Sequence, residues 1–428
     1  MRSKLTFFLL YFSSIVLFGQ NKTTVTAFFD NLNNLEFTSV QKLLDHSKIE
    51  SKHPLRYLLV MIRDVEYTSE YEKVSDQLFY ASEIVTELIR AYQGLYVQND
   101  KAVALMHFDR AYKLSKNEDS NAIRYFCIKE ILKLYRSKAI QSNDEYKKYL
   151  EDLSDEVQNN LQLLSYYSFK FSLLAQTETY NEKVSKNENS YNSIFKSYDS
   201  VAGLVKDQNK QVYRYYLDKG NHVIRVNPNL AKQYYLQSFN LLGNEPYFDS
   251  SKKVLYLNLS RVYQALEDYQ LALEMLSKAK VFMDESNHLD YFALNTYKSI
   301  VFTKMKVLDS ALFYEKEARY NQINWDLQKQ NVEISLMQVK LRTAEKEKSL
   351  VLTRAWLIGS IALLIFLSII SYLLIRYSKR KRLLALQEKE IETQKNLTLM
   401  KEQEISTINA IKPVHKSSKA INKTLLVW

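Results

Sequence analysis

Glycine and proline are so scarce in this chain that strand-rich folds are closed to it. Six glycines and four prolines stand among 428 residues, where ordinary usage would supply about 30 and about 21. Hairpins, tight turns and phosphate-cradling loops draw on residues that accept positive φ or preset a turn. The chain is therefore expected to be all-α, its helices joined by short polar connections. Thirty-two residues are tyrosine, which suits amphipathic helices packing through large side chains with a hydrogen-bonding tip. The single cysteine, Cys127, lies in the apolar stretch Arg124-Tyr125-Phe126-Cys127-Ile128 and reads as a buried, inert thiol.

Met1-Arg2-Ser3-Lys4, an almost wholly apolar run from Leu5 to Phe18 and then Gly19-Gln20-Asn21-Lys22 follow the plan of a secretory signal over residues 1–19. Cleavage near Gly19 is expected, with an uncleaved anchor as the alternative. From about Thr24 to Tyr320, within a domain spanning residues 20–319, apolar residues recur at helical spacing. Polar clusters such as Lys116-Asn117-Glu118-Asp119-Ser120 and Ser142-Asn143-Asp144-Glu145 interrupt them, which predicts paired helices.

The pair over Val254–Lys280 resembles the tetratricopeptide repeat. Tyr256, Leu259, Ser260 and Tyr263 match its first helix, and Tyr269, Ala272, Leu276 and Ala279 its turn and second helix. Small residues at Ser260 and Ala272 let two helices approach, while Tyr263 and Leu276 fill the space to the next pair. Ala104-Leu105-Met106-His107-Phe108-Asp109-Arg110-Ala111 repeats the second-helix spacing, with Tyr92 in place of the small first-helix residue. Ser299 and Phe302 with Ala311 and Ala318, and Ala231 with Tyr235 and Ser238, are further matches. Ala272 and Ala311 are 39 positions apart against about 34 in the family, so an irregular helical-repeat superhelix is expected, with degenerate pairs in residues 25–90 and 120–200. The resemblance implies a groove for a protein or peptide on the concave first helices, at Gln93, Tyr96, Arg261 and Gln264.

Over residues 320–354 the pattern becomes heptad. Tyr320, Leu327, Ile334 and Leu341 recur every seven residues, with Ile323, Met337, Ala344 and Val351 between them; Gln330 and Lys348 weaken the seam. This predicts a long helix, with homodimerisation through Tyr320, Leu327, Ile334 and Leu341 as its coiled-coil reading. Ala355 to Ile375 is then 21 residues without a charge, between Arg354 and Arg376. That length crosses about 30 Å of hydrocarbon, and Trp356 and Tyr372 fall near the interfaces. Arg376, Lys379, Arg380, Lys381 and Arg382 follow at once, so the positive-inside bias puts the C-terminus in the cytoplasm and the repeats outside. A basic cytoplasmic helix over 376–411, with Leu384, Ile391 and Ile405 on one stripe, is expected to end before Pro413, leaving 412–428 as an irregular tail.

Residues 376–428 hold 12 Lys or Arg against 5 Glu, most of the chain's net +11. The rest is nearly neutral, which argues against a nucleic-acid partner. No phosphate-loop, dinucleotide or zinc-protease motif occurs, and His46, His53, His107, His222, His288 and His415 show no metal-ligand spacing. No enzyme activity, cofactor or metal is expected.

The order of signal, repeats, heptad helix, single span, Arg376-Tyr377-Ser378-Lys379-Arg380-Lys381-Arg382 and a charged helix ending in Lys401-Glu402-Gln403-Glu404-Ile405-Ser406-Thr407-Ile408-Asn409-Ala410 resembles the sensor half of bacterial tetratricopeptide-repeat histidine kinases. That likeness implies an inner-membrane protein with its repeats in the periplasm. In the family, a phosphoacceptor His-Asp motif and an ATP-binding domain follow. Here Pro413-Val414-His415-Lys416 follows, and the acceptor role does not transfer to His415. Two readings result: a membrane-anchored receptor or scaffold that transmits binding without its own catalysis, and a truncated or frameshifted kinase whose catalytic half is missing or supplied in trans. The missing motifs favour the first.

Overall fold

Among the described residues, fifteen α-helices and no strand form the chain. The computed structural model describes residues 22–50, 53–65, 81–137, 140, 142–177, 184–205 and 210–424, without side chains over 176–190 and from 409 onward. The signal expected at 1–19 lies outside them. The helices are α1 (22–33), α2 (Phe37–His46), α3 (Pro54–Arg63), α4 (Ser82–Tyr96), α5 (Lys101–Ser115), α6 (Asn121–Arg136), α7 (Asn143–Glu156) and α8 (Asn160–Thr177). Then come α9 (Val184–Leu204), α10 (Val212–Val223), α11 (Pro228–Asn240), a 3₁₀ turn at Pro246–Phe248, α12 (Asp249–Ala265), α13 (Tyr269–Lys280), α14 (His288–Lys304) and α15 (Leu308–Thr424). All-α architecture built from neighbouring helix pairs is what the composition and periodicity require.

The pairs share one local device. Asp100, Asn227 and Asp268 each cap a second helix by accepting from its first free amides. Four residues after each cap stands a fully buried alanine: Ala104, Ala231 and Ala272. In three of the four turns the residue five positions before the alanine is left-handed and is not glycine: Asn99 at φ 49°, Glu267 at 62° and Lys306 at 63°, the last ahead of Ala311. Positive φ is thus supplied without spending the few glycines. Two glycines serve close approach instead. A Cβ on Gly94 would lie 3.0 Å from the Ala104 amide nitrogen, and one on Gly220 would fall inside the Tyr235 ring. The small first-helix position of the α4–α5 pair is therefore Gly94. Tyr92 turns into the core, edge-on to Phe108 at 5.2 Å. Ser299 Oγ donates to the Ala311 carbonyl at 3.0 Å, which ties α14 to the start of α15.

Tyrosines fill the core as their spacing suggests, and several of their hydroxyls hydrogen-bond from one helix to another. Tyr125 donates to the Gln162 carbonyl at 3.2 Å, Tyr146 to the Phe169 carbonyl at 3.0 Å and Tyr235 to Asn221 Oδ1 at 2.9 Å. Each such bond is worth about 1 kcal/mol and spares a buried hydroxyl its desolvation cost. Cys127 is fully buried, and burial pushes its thiol far above the ordinary range. His107 meets the buried Glu87 carboxylate across α4 and α5 at 2.7 Å, with Arg90 at 2.9 Å and Arg110 at 3.6 Å. Burial pushes Glu87 up, but the His107 hydrogen bond and the neighbouring Arg110 and Arg90 charges hold the carboxyl below its usual value.

The chain divides into two compact units, Met1–Leu341 and Arg342–Trp428, and α15 belongs to both. No structural boundary falls at residue 319 or 320: α15 begins at Leu308 as the second helix of the last pair, and its first heptads belong to the repeat unit. The expected stop before Pro413 is also corrected, since helical backbone runs on to Thr424 and replaces the irregular tail. Proline removes one helical donor, but neither glycine nor a second proline follows, so the helix resumes beyond it.

Candidate functional site

Between Asn321 and Lys340, α15 lies back against the repeats by one face. Asn321 is buried and its Oδ1 meets His288 Nδ1 at 3.0 Å. Gln328 Nε2 donates to the Ser286 carbonyl at 3.1 Å, and Ser335 Oγ donates to Asp100 Oδ2 at 3.0 Å. Lys340 Nζ pairs with Glu145 Oε1 at 3.0 Å. Val332 and Leu336 pack on the main hydrophobic core, and the Lys101 ammonium sits 5.7 Å from the centre of the Trp325 ring. Burial pushes Lys101 below the ordinary lysine value, with Asp290 opposing and Lys253 reinforcing that shift. At about 100° per residue, positions 321, 325, 328, 332, 335 and 339 share one side of the helix.

The opposite side carries the heptad stripe, uncovered. Tyr320 is 61% exposed, Leu327 52%, Ile334 56% and Leu341 59%, with Ile323 and Met337 equally open. A helix with one face docked and the other apolar and bare exposes far more hydrophobic surface than a solvated stalk requires.

A cavity of about 280 Å³ lies where the docked face crosses the α4–α5 turn, with Asp100 and Lys101 on one wall and Trp325, Gln328 and Ser335 on the other. Of the residues expected to bind ligand, Gln93 and Tyr96 stand a turn apart on α4. Tyr96 stacks on Tyr92 at 5.8 Å, and its hydroxyl lies near Glu130 and Tyr247; burial and then the Glu130 charge push it well above the ordinary phenol value. Arg261 and Gln264 form a separate surface on α12. Arg261 reaches Asn258 Oδ1 at 3.4 Å and lies over the Tyr297 ring of α14, while Gln264 donates to Ser260 Oγ at 3.2 Å. The docked face of α15 escaped sequence reading, although Asn321, Trp325, Gln328, Val332 and Ser335 carry helical spacing.

From Arg342 to Ile408 every residue of α15 is exposed. This helix is long and apolar enough to cross a membrane: an 18-residue window has a mean hydropathy of 2.6 with none of it buried. Ser360 and Ser368 return their hydroxyls to the Trp356 and Leu364 carbonyls at 2.6 and 2.8 Å, which satisfies them within the helix as lipid would demand. Arg376, Lys379, Arg380, Lys381 and Arg382 follow on the same exposed helix.

The chain matches no protein-family model and no curated protein. Its function must be argued from its own geometry.

Proposed function

We propose that this protein is a single-pass membrane receptor or scaffold whose tetratricopeptide-like repeats bind a protein, peptide or small ligand outside the cytoplasm. In this reading it passes that event on through α15 as a homodimer and has no catalysis of its own. The observation that carries the proposal is the double face of α15. One face docks on the repeats and the other is an apolar stripe, and the same unbroken helix supplies the uncharged span and the basic segment after it. A ligand that alters how the repeats hold Asn321, Trp325 and Ser335 acts directly on the helix that crosses the bilayer. Two copies in one membrane bury their stripes against each other, and a parallel pair aligns identical heptads without new surface.

Orientation is tested by cysteine accessibility, for which Cys127 is suited as a silent background because it is fully buried. Glu285→Cys should be labelled in intact cells by a membrane-impermeant reagent, and Ser418→Cys only after permeabilisation. The opposite pattern would reverse the topology, and labelling of both in intact cells would remove the span.

A further inference from the structure

We propose that the surface on which α15 rests is a docking site for an amphipathic helix of a partner protein, and that residues 321–340 occupy it as a built-in competitor. The surface is assembled from the first residues of three helices and the turns before them. Asp100 and Lys101 open α5, Glu145 lies in the first turn of α7, and Ser286 and His288 lead into α14. Asp100 and Glu145 present carboxylate oxygens, Ser286 a carbonyl and Lys101 an ammonium. One face of one helix answers them all. Asn321 and Gln328 supply amides, Trp325 a ring, Ser335 a hydroxyl and Lys340 a cation. Contacts spaced in this way along one side are how a helix lies in a groove. The inference rests on the reading of α15 as the helix that carries binding to the membrane, and it adds the kind of partner that displaces it.

The hold of α15 on this surface is of a kind that a competitor can replace. Its contacts at Gln328 and Lys340 are exposed, where water competes for each partner and an ion pair stabilises little. Val332 and Leu336 reach the main core but are themselves only partly buried. The half-open cavity of about 280 Å³ beside Trp325, Gln328 and Ser335 leaves the seam unfilled. Side chains that face a gap forgo dispersion contacts, which a better-fitting helix regains. A segment tethered in the same chain competes at an effective concentration of roughly millimolar. It therefore sets a threshold that only a well-matched helix passes. The spacing of Trp325, Ser335 and Lys340 describes that match: an aromatic residue, a hydroxyl or amide donor ten positions later and a cation five beyond it.

The probe is a labelled synthetic peptide of residues 318–341 in which Tyr320, Ile323, Leu327, Ile334, Met337 and Leu341 are replaced by glutamine. It keeps the docked face and cannot join the heptad stripe, so the result is independent of dimerisation and topology. Binding to the full chain in detergent is followed by fluorescence anisotropy. Trp325→Ala with Ser335→Ala in the chain's own α15 weakens the competitor, and the peptide should then bind about threefold or more tighter than to the parent. Lys340→Ala, at an exposed contact, is the milder form should the double variant not fold. The same Trp325→Ala and Ser335→Ala changes placed in the peptide should weaken its binding instead. In a Val332→Cys chain the peptide should raise thiol labelling, with the fully buried Cys127 as a silent background. The proposal is overturned if the peptide does not bind saturably to the weakened chain, if it binds parent and weakened chain equally, or if labelling at position 332 does not rise. A disulfide between co-expressed Asp100→Cys and Ser335→Cys chains would assign the surface to a second copy and overturn it as well.

Discussion

Ser335 and Asp100 are 235 positions apart in sequence and 3.0 Å apart in space. Asp100 divides its carboxylate between two duties. Oδ1 accepts from the Ala102 and Val103 amides and caps α5, while Oδ2 accepts the Ser335 hydroxyl. The start of a repeat helix and the helix leading to the span thus share one side chain. Asp100→Ala should lose about 1 kcal/mol as a cap and also release α15, whereas Ser335→Ala should lose only the second contribution. A double-mutant cycle read by thermal unfolding should return a coupling of about 0.5–1.5 kcal/mol. A coupling of zero would mean the two groups do not hold α15 in solution.

The bare stripe of Ile334 and Leu341 predicts a parallel dimer. Burying each large apolar side chain contributes about 1.5–3 kcal/mol, and the span alone adds little because leucine is equally at home in lipid. Met337→Cys in membranes should give a disulfide-linked dimer on mild oxidation. Ile334→Asp with Leu341→Asp should abolish it while leaving the docked face intact. A cross-link that is absent from the parent, or that survives both charges, contradicts the dimer.

Glu267 and Lys306 sit at positive φ with a Cβ that crowds the backbone there, at a cost of roughly 1–2 kcal/mol each. Glycine removes that cost and adds some unfolded-state entropy. Glu267→Gly and Lys306→Gly should therefore raise stability by up to about 1 kcal/mol each, measured by denaturant unfolding. Gly220→Ala should act the other way, by about 1–3 kcal/mol, because the Tyr235 ring occupies the space its methyl would need.

Burial holds Lys129 at about 7, against 10.5 for an ordinary lysine, with Lys133 pushing it further down and Glu130 pulling it up. Asn33, Arg136, Gln211, Arg214 and the Tyr247 hydroxyl complete its surroundings. Because the folded state binds this proton less tightly than the unfolded one, the group's destabilising effect is complete below about pH 7 and is relieved as pH rises toward 10.5. In cationic buffers with chloride as the only anion, Lys129→Met should raise Tm by several degrees near pH 6. The gain should shrink by pH 9.5, and a pH-independent difference would contradict the charged, buried ammonium.

Much of this protein was legible one segment at a time. Scarce glycine and proline with apolar residues at helical spacing dictate helices, because no other backbone arrangement satisfies its hydrogen bonds within such segments. Ala104, Ala231 and Ala272 marked the close approaches, and the uncharged run from Ala355 to Ile375 marked the candidate span. Other features were settled only in three dimensions. Periodicity tells which residues share a face but not what that face meets, so the spacing of Trp325, Val332 and Ser335 did not show that the fold carries Asp100 and Lys101 beneath them. Charge in a sequence likewise carries no record of burial, so the spacing along α6 did not show that the Lys129 ammonium is buried. Asn33 and the Tyr125 and Phe126 rings surround Lys129 in the fold, and a cation's energy depends far more on that removal from water than on its neighbours along the chain.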